Sequence, residues 1–315
     1  MRYAIISDIH GNLPAFQAVL RDAKKQEIDR YVFLGDYYAD MPFPNETADL
    51  IKSIKNAYVV KGNKENYLKD LMGQNQSKWT HDMLAPLYWG FQAYRPDNLH
   101  YMIDLPEQIE TIEEDGTLIT MFHAPAALFP HKGMRELSSS NFAQKMRSQP
   151  FSHEEYLKYA DMQLRSDNEF MAKLKSMPKG IYLFGHTHIQ WYLEIADRLL
   201  INPGSCGFPL DFSNTAAYTV LETGMCRKVE ERRVTYDIND AVHKLRNSGL
   251  YKRAKPWGDI MIEHMTKAED RINDFFRLLR RHAKERNDNE SPYTNETWRS
   301  ATAQWYDQAK LISFD

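Results

Sequence analysis

Metal-binding and acid–base side chains follow five separate apolar runs of the sequence, each at the point where the run ends. They are two aspartates, one asparagine and four histidines: Asp8, His10, Asp36, Asn63, His123, His186 and His188. A lone histidine after such a run is usually a core residue. That interpretation does not explain the pair His186 and His188, which follows Gly185 and is separated by Thr187. Mixed oxygen and nitrogen ligands suit divalent ions such as manganese, iron, zinc, nickel or cobalt.

Seven ligands are more than one tetrahedral ion requires, since such an ion takes four. They fit two ions of higher coordination number if one carboxylate is shared and water or substrate completes each shell. Two ions about 3.5–4 Å apart polarise phosphoryl oxygens and lower the pKa of a bridging water, so that hydroxide is available near neutral pH. The ligand set therefore predicts a binuclear centre suited to phosphoester hydrolysis.

The apolar runs predict β-strands that alternate with helices. Strand patterns cover residues 3–6, 30–34 and 57–61, and helical spacing covers residues 13–26 and 45–56. This alternation is typical of an α/β fold with a largely parallel sheet. Open α/β sheets place their sites at the carboxyl ends of the strands. Asp8 and His10 stand two apart there, so an extended backbone would point both side chains to one side.

Two inserts interrupt the alternation. Residues 74–112 are rich in tryptophan and tyrosine, which indicates either an inserted helical pair with an aromatic core or a cap that contacts substrate. Residues 126–178 are largely helical and polar. Further strands are predicted at 117–122, 181–184, 199–201, 217–222 and 227–236, with turns at 113–116 and 223–224.

The composition shifts after residue 237 towards charged helical patterns. We therefore predict a catalytic domain over residues 1–237, with the two inserts, and a helical C-terminal appendage over residues 238–315. The appendage either packs on the sheet or mediates self-association into a homo-oligomer, and the sequence favours neither.

The composition limits which kinds of partner and which cellular location are expected. The 315 residues are 43% hydrophobic and 26% charged with a net charge of −3, an ordinary globular balance that does not suggest a nucleic-acid or membrane partner. Two cysteines, Cys206 and Cys226, are too few for a disulfide framework. The N-terminus enters a strand at once, and no apolar run has the length of a membrane span. These features predict a cytoplasmic protein.

The ordered motifs resemble those of the calcineurin-like metallophosphoesterase superfamily. They are Asp8-x-His10, Gly35-Asp36, Gly62-Asn63-Lys64-Glu65, a lone His123 and Gly185-His186-x-His188, and they follow the family's order between residues 1 and 222. The opening Ser-Asp-Ile-His-Gly-Asn and the segment 202–205 are similar to the smaller bacterial and archaeal phosphodiesterase-like branch. The resemblance implies a two-sheet β-sandwich flanked by helices, which refines the simpler parallel-sheet prediction.

The resemblance also implies which side chains hold which ion. Asp8, His10, Asp36 and His188 would hold one metal ion, and Asp36, Asn63, His123 and His186 would hold the other. Asp36 would then bridge the two ions, while Asn63 and the histidines fix their geometry. The implied activity is a metal-dependent phosphohydrolase that uses a metal-bridging hydroxide, with a phosphodiester or nucleotide substrate.

Lys64 departs from the family's third motif, which usually has a histidine that protonates the leaving group or binds the phosphate. An ammonium can bind a phosphate oxygen as a point charge, but it is a poor proton donor at pH 7. The departure favours substrates with a good leaving group, or an acid supplied elsewhere by His81, His100 or His131. The alternative interpretation of Lys64 is a solvated charge at a helix start.

Other functions remain alternatives. The Gly-Asp motif continues Tyr37-Tyr38-Ala39-Asp40 and lacks the Asp-Arg-Gly of protein serine/threonine phosphatases, so a phosphomonoesterase or protein phosphatase is the second choice. A catalytically silent scaffold would be expected to lose ligands, and all seven are present. A metal-dependent amide hydrolase lacks support because there is no His-Glu-x-x-His pairing.

Overall fold

Two five-stranded sheets form the centre of the protein, whose computed structural model describes residues 1–148, 152–224 and 227–312. The strands in the described residues are β1 (Arg2–Ile6), β2 (Arg30–Phe33), β3 (Ala57–Val59), β4 (Gln108–Ile112), β5 (Leu118–Phe122), β6 (Gly180–Leu183), β7 (Gln190–Ile195), β8 (Arg198–Pro203), β9 (Ala216–Glu222) and β10 (Lys228–Val234). The first sheet has the order β10-β9-β1-β2-β3, and the second has the order β4-β5-β6-β8-β7.

Helices cover the outer faces of the sheets and form the C-terminal region. In the described residues they are α1 (Leu13–Ala23), α2 (Pro44–Ser53), α3 (Asn63–Leu71), α4 (Ala85–Ala93), α5 (Pro96–Ile103), α6 (Lys132–Glu136), α7 (Ser139–Ser148), α8 (His153–Ser166), α9 (Asn168–Ser176), α10 (Ile238–Arg246), α11 (Gly249–Arg253), α12 (Lys255–Lys267), α13 (Arg271–Glu285) and α14 (Asn295–Ile312). Short 3₁₀ turns occupy Lys24–Gln26, Gln76–Lys78, Asp82–Leu84 and Pro125–Ala127.

The two sheets pack face to face, which confirms the β-sandwich that the family resemblance implied. Strand β1 shows how the sequence builds it, because successive side chains of a strand point to opposite faces. Tyr3 and Ile5 enter the core between the sheets with Val32 and Ile181, while the alternate residues of β1 join the core beneath α1. Both faces are covered, so β1 reads as a continuous apolar run.

The prediction of a single, largely parallel sheet was wrong. Strands β1, β2 and β3 are parallel, but β9 and β10 extend their sheet antiparallel, and β5 and β6 belong to the other sheet. Strand β7 was missed because Gln190 and Glu194 interrupt its apolar pattern. The carboxamide of Gln190 is nevertheless satisfied inside the sandwich, since Nε2 donates to the carbonyl of Tyr218 at 2.8 Å.

The insert at 74–112 is helical only in part. Residues 108–112 form β4, which pairs antiparallel with β5 across the turn at 113–116. The remainder contains α4 and α5 and an aromatic cluster in which the rings of Trp79 and Tyr88 stack with centroids 5.0 Å apart. The insert at 126–178 supplies α6 to α9, which cover the outer face of the second sheet through Tyr156, Leu164 and other buried residues.

Helices α10 to α14 have a core of their own that continues into the rest of the chain. Leu245, Trp257 and Phe275 are buried in it, and Met41 and Phe208 from the loops at the sheet edge belong to the same cluster. The appendage therefore packs at the carboxyl end of the strands, beside the loops that carry the metal-binding residue types. Self-association stays a prediction.

Two smaller predictions can be placed. Cys206 is a fully buried free thiol, and Cys226 lies outside the described residues. Within the described ranges, none of the helices combines the length and apolar character that crossing a membrane requires.

Candidate metal centre

The seven side chains singled out in the sequence converge at one edge of the sandwich. Asp8 and His10 follow β1, Asp36 follows β2, and Asn63 opens α3 four residues after the end of β3. His123 follows β5, while His186 and His188 follow β6. The site thus joins both sheets, because it takes residues from the carboxyl ends of strands in each.

The first group consists of Asp8, His10 and His188, whose ligand-type atoms all lie within 4.8 Å of one another. The Nε2 atoms of His10 and His188 are 3.1 Å apart. Oδ1 of Asp8 lies 3.3 Å from Nε2 of His188 and has no hydrogen-bond partner among the described residues, although it is buried.

The second group consists of Asp36, His123 and His186, which also meet within 4.8 Å. The side-chain oxygen of Asn63 joins it, at 3.0 Å from both Nε2 of His123 and Nδ1 of His186. The two histidine nitrogens are themselves 3.2 Å apart. The group therefore presents two imidazoles, one carboxylate and one amide oxygen to a common point.

The two oxygens of Asp36 face different groups. Oδ1 lies 3.4 Å from Nε2 of His123, while Oδ2 lies 3.9 Å from Nε2 of His10. A carboxylate in this position can contribute one oxygen to each of two neighbouring ions.

The hydrogen bonds of the histidines show that the residues fit a cation. Nδ1 of His123 bonds the carbonyl of Leu34 at 2.7 Å, and Nδ1 of His188 bonds the carbonyl of Phe208 at 2.6 Å. A carbonyl accepts only, so each Nδ1 carries the hydrogen and each Nε2 of a neutral ring presents a lone pair. In a neutral ring that lone pair faces the carboxylate oxygens of the site, and a bound cation removes the repulsion between them.

The electrostatics of the site also favour a bound cation. Burial alone would lower the pKa of both histidines, yet Asp40 and Asp8 raise the pKa of His10 to about 9. Asp36 likewise raises the pKa of His123 to about 10 against the effect of burial. The buried carboxylates therefore create a negative potential at these rings, which favours a positive charge there.

The backbone at the site adopts conformations that L-residues rarely use. Five ligand-type residues have φ between 52° and 71°: Asp8, His10, Asp36, His186 and His188. Left-handed backbone costs a non-glycine residue about 1–2 kcal/mol, and such residues persist only where their surroundings enforce them. Here the loop after β1 is bonded to the loop after β2, since the N–H of His10 donates to the carbonyl of Asp36 at 2.9 Å. This strained geometry is typical of a functional site.

Glu65 fixes two of the loops relative to each other. Its buried carboxylate accepts hydrogen bonds from the backbone N–H groups of Asp36, Tyr37 and Gly62, at 3.0, 2.9 and 2.8 Å. Gly62 must lack a side chain, because a Cβ there would collide with the backbone and carboxylate of Asp36. Glu65 thereby holds Asp36 and the start of α3 together.

The segment 202–205 likewise fixes two loops of the site relative to each other. The amide of Asn202 donates to the carbonyl of Gly185 and to the hydroxyl of Thr187, both at 2.9 Å. The hydroxyl of Ser205 donates to the carbonyl of Asp8 at 2.7 Å. The segment thus connects the loop after β6 with the loop after β1.

Asp40 is a site residue that sequence reasoning did not single out. Its Oδ2 lies 2.7 Å from Nδ1 of His10 and 3.6 Å from Nζ of Lys64, and its Oδ1 accepts a 3.0 Å bond from Nε1 of Trp257. The side chain of Lys64 is 19% exposed and lines the cleft over the two groups. Asp40 therefore orients a candidate ligand and also pairs with the lysine.

The cleft over the site has a volume of about 310 Å³. Its floor contains His10, Asp36 and His188, and α12 and α13 supply Met261, His264, Ile272 and Phe276 to its walls. The described residues that line it include none from the insert at 74–112, so the C-terminal helices and not this insert form the cap that contacts the cleft.

The histidines proposed from the sequence as alternative acids lie elsewhere. His100 is exposed on α5, where Nδ1 bonds the carbonyl of Pro96, and His131 packs against the ring of Phe170. His81 precedes the 3₁₀ turn at Asp82–Leu84. The described residues that line the cleft include none of these three histidines and none of their sequence neighbours. They do include His264. No sequence signal marked His264, because it lies inside an ordinary helical pattern.

Comparison with known proteins identifies the family of the chain. The calcineurin-like phosphoesterase superfamily domain matches residues 1–224 of the chain. An uncharacterized protein of Methanocaldococcus jannaschii is 28% identical over 248 residues, which cover 78% of this chain and 93% of that protein.

Two solved structures share the fold. A metallophosphoesterase from Sphaerobacter thermophilus superposes with a TM-score of 0.58 at 23% identity, covering 85% of this chain and 100% of that one. A hypothetical protein from Pyrococcus horikoshii gives a TM-score of 0.60 at 18% identity, covering 82% of this chain and 97% of that one.

Proposed function

The chain belongs to the calcineurin-like phosphoesterase superfamily, and on this premise we propose that it is a two-metal phosphoester hydrolase. The proposed substrate is a phosphodiester or a nucleotide-type phosphoester. The proposed cofactors are two divalent ions from the series manganese, iron, zinc, nickel and cobalt.

The observation that carries this proposal is the position of Asp36 between two groups of converging acceptors. Its Oδ1 faces His123 and its Oδ2 faces His10. Asp8, His10 and His188 would hold one ion together with Asp36, and Asn63, His123 and His186 would hold the other. Two ions held in this way supply a Lewis acid for the phosphoryl oxygens and lower the pKa of a water molecule.

Lys64 has the role of a phosphate contact. Burial opposes its charge, but Asp40 and Asp36 raise the pKa of the ammonium above its ordinary value, so it stays protonated at neutral pH. A permanently charged ammonium neutralises a phosphoryl oxygen but is a poor proton donor. This favours substrates whose leaving group departs without help from an acid.

The cleft favours a compact substrate over a phosphoprotein. Its volume of about 310 Å³ is in the usual range of small-molecule sites. The loop after Asp36 also differs from that of protein serine/threonine phosphatases. A phosphomonoester remains the second candidate, since the same groups would bind it. The cytoplasm remains the proposed location.

The proposal can be tested by hydrolysis after metal reconstitution. Metal-free protein is supplied with manganese, nickel or cobalt and assayed on bis(p-nitrophenyl) phosphate and on p-nitrophenyl phosphate. We expect hydrolysis of the diester, about two bound ions per chain, and activity reduced to background in Asp36→Asn. The exposed Asp104→Asn serves as the matched control.

Two results would contradict the proposal. One is the absence of hydrolysis of both esters with all three metals, and the other is full activity in Asp36→Asn. Metal binding without hydrolysis would favour the silent scaffold instead.

A further inference from the structure

His264 is a buried histidine of the cleft that belongs to neither of the two groups of candidate metal ligands. It lies on α12, is 1% exposed, and lines the same cleft as Lys64 and His188. Its ring packs edge-to-face on Phe208, with centroids 5.6 Å apart and an interplanar angle of 74°. The ring is therefore fixed in place by aromatic packing.

Neither ring nitrogen of His264 has a hydrogen-bond partner among the described residues. The candidate ligands His123 and His188 differ in this respect, since Nδ1 of each bonds a carbonyl. Buried polar atoms in folded proteins are almost always paired, because an unpaired one has lost its water without compensation. Two unpaired nitrogens at a cleft wall therefore point to a partner that enters the cleft.

The chemistry of His264 suits an uncharged polar partner. Burial lowers the pKa of this ring well below its ordinary value, and the nearby His188 adds to the effect. A neutral imidazole offers one N–H donor and one nitrogen acceptor. It differs from Lys64, which offers a fixed positive charge to a phosphoryl oxygen.

The wall around His264 combines apolar side chains with the polar Asp270 and Asn273. Met261, Ile272 and Phe276 line the cleft beside it, and Phe208 lies next to both its ring and that of His10. Such a wall suits the organic part of a substrate, with a few polar groups to fix its orientation. The phosphoryl part is matched by the candidate metal ligands and Lys64.

We propose that His264 binds the substrate by hydrogen bonding to a hydroxyl, carbonyl or amide of the organic group esterified to the phosphate. The inference rests on the proposed function and narrows its substrate class. The substrate is a phosphoester whose organic group carries uncharged polar atoms beside a flat or apolar surface, as the sugar and base of a nucleotide do.

The test compares His264→Leu and His264→Gln with wild type in the metal-reconstituted full chain. Thymidine 5′-(p-nitrophenyl phosphate) probes the organic group, bis(p-nitrophenyl) phosphate lacks a sugar and a base, and inorganic phosphate as a competitive inhibitor probes the phosphoryl site alone. Thermal unfolding is measured in parallel. His243→Leu, an exposed histidine on α10, is the matched control.

We expect His264→Leu to raise KM for the thymidine ester by about tenfold, the usual effect of one lost hydrogen bond. KM for the bis-aryl ester and the inhibition constant of phosphate should stay nearly unchanged. Tm should stay equal or rise, because leucine fills a similar volume without unpaired polar atoms. His264→Gln should recover part of the lost affinity.

Each other result overturns the inference. An unchanged KM for the thymidine ester means that His264 is a packing residue, and so does a lower Tm in His264→Leu. An equal weakening of phosphate inhibition means that the ring acts on the phosphoryl site. In all these cases wild type is still active, so the proposed function stands. A wild-type protein that hydrolyses none of the esters overturns both.

Discussion

Oδ2 of Asp40 lies 2.7 Å from Nδ1 of His10, so a carboxylate four residues beyond Asp36 fixes the ring of a candidate metal ligand. Both side chains are about 3% exposed. The same carboxylate accepts a hydrogen bond from Trp257 of α12. The two groups of candidate metal ligands and the C-terminal helices are therefore connected through one buried aspartate.

Removing the charge of Asp40 should weaken metal binding. In Asp40→Asn the ring of His10 loses its carboxylate partner, and we expect affinity for manganese or zinc to fall by about 10–100-fold. Titration calorimetry on metal-free protein measures this. Asp70→Asn, an exposed aspartate on α3, should bind as wild type does. Equal affinities in Asp40→Asn and wild type would show that Asp40 does not support His10.

Removing the donor of Trp257 should affect both stability and the site. Trp257→Phe keeps a buried ring but leaves Oδ1 of Asp40 without its 3.0 Å hydrogen bond. Because hydrogen bonds to charged groups contribute about 1.5–3 kcal/mol, we expect a loss of about 2 kcal/mol in the free energy of unfolding. Denaturant unfolding measures it, and metal affinity should fall less than in Asp40→Asn.

Trp305→Phe is the control for that substitution. Trp305 lies in the same helical cluster, and its Nε1 has no partner among the described residues, so no hydrogen bond is lost. If both variants lose the same stability, the Trp257–Asp40 bond contributes nothing specific.

Substitution of Lys64 should raise KM more than it lowers kcat. Lys64→Met removes a charge that would bind the phosphoryl group in the ground state, and we expect KM for bis(p-nitrophenyl) phosphate to rise by about tenfold. Lys64→Arg retains the charge and should keep most of the affinity. Initial-rate kinetics separate the two constants. A large fall in kcat at unchanged KM would instead assign Lys64 to the chemical step.

Asp22 should make stability depend on pH in the acid range. Its carboxylate joins α1 to the first sheet by accepting bonds from Arg232 at 2.8 Å and Tyr218 at 2.6 Å. The hydrogen bond with Arg232 lowers the pKa of Asp22. The resulting stability is present above the unfolded-state pKa of about 4 and is lost as pH falls through the lower folded-state value.

Asp22→Asn should therefore cost about 1 kcal/mol at pH 7, because the pair is only partly buried. The difference from wild type should shrink below about pH 4. Chemical unfolding at pH 7, 5 and 3 measures both trends. A difference that persists unchanged at pH 3 would show that the charge of Asp22 is not its cause.

The family and the seven site residue types could be identified from the sequence because their signals are local. Each ligand-type side chain lies within five residues of the end of an apolar strand, and strands that meet at one sheet edge bring such residues together. Strand periodicity also located most of the sheet. It could not assign β5 and β6 to a second sheet, since pairing partners lie far apart in the chain; the family resemblance supplied that feature.

Only the tertiary structure decided the finer geometry of the site. The left-handed backbone of Asp8, His10 and Asp36 is enforced by hydrogen bonds between separate loops and leaves no mark in the composition. Asp40 lines the cleft because the loop after β2 brings its carboxylate to His10, and His264 lines it because α12 packs against the loops at the sheet edge. Hydrophobic burial of α12 sets the position of His264, and the 3.6-residue pattern of that helix predicts only that one face is buried, not which surface covers it.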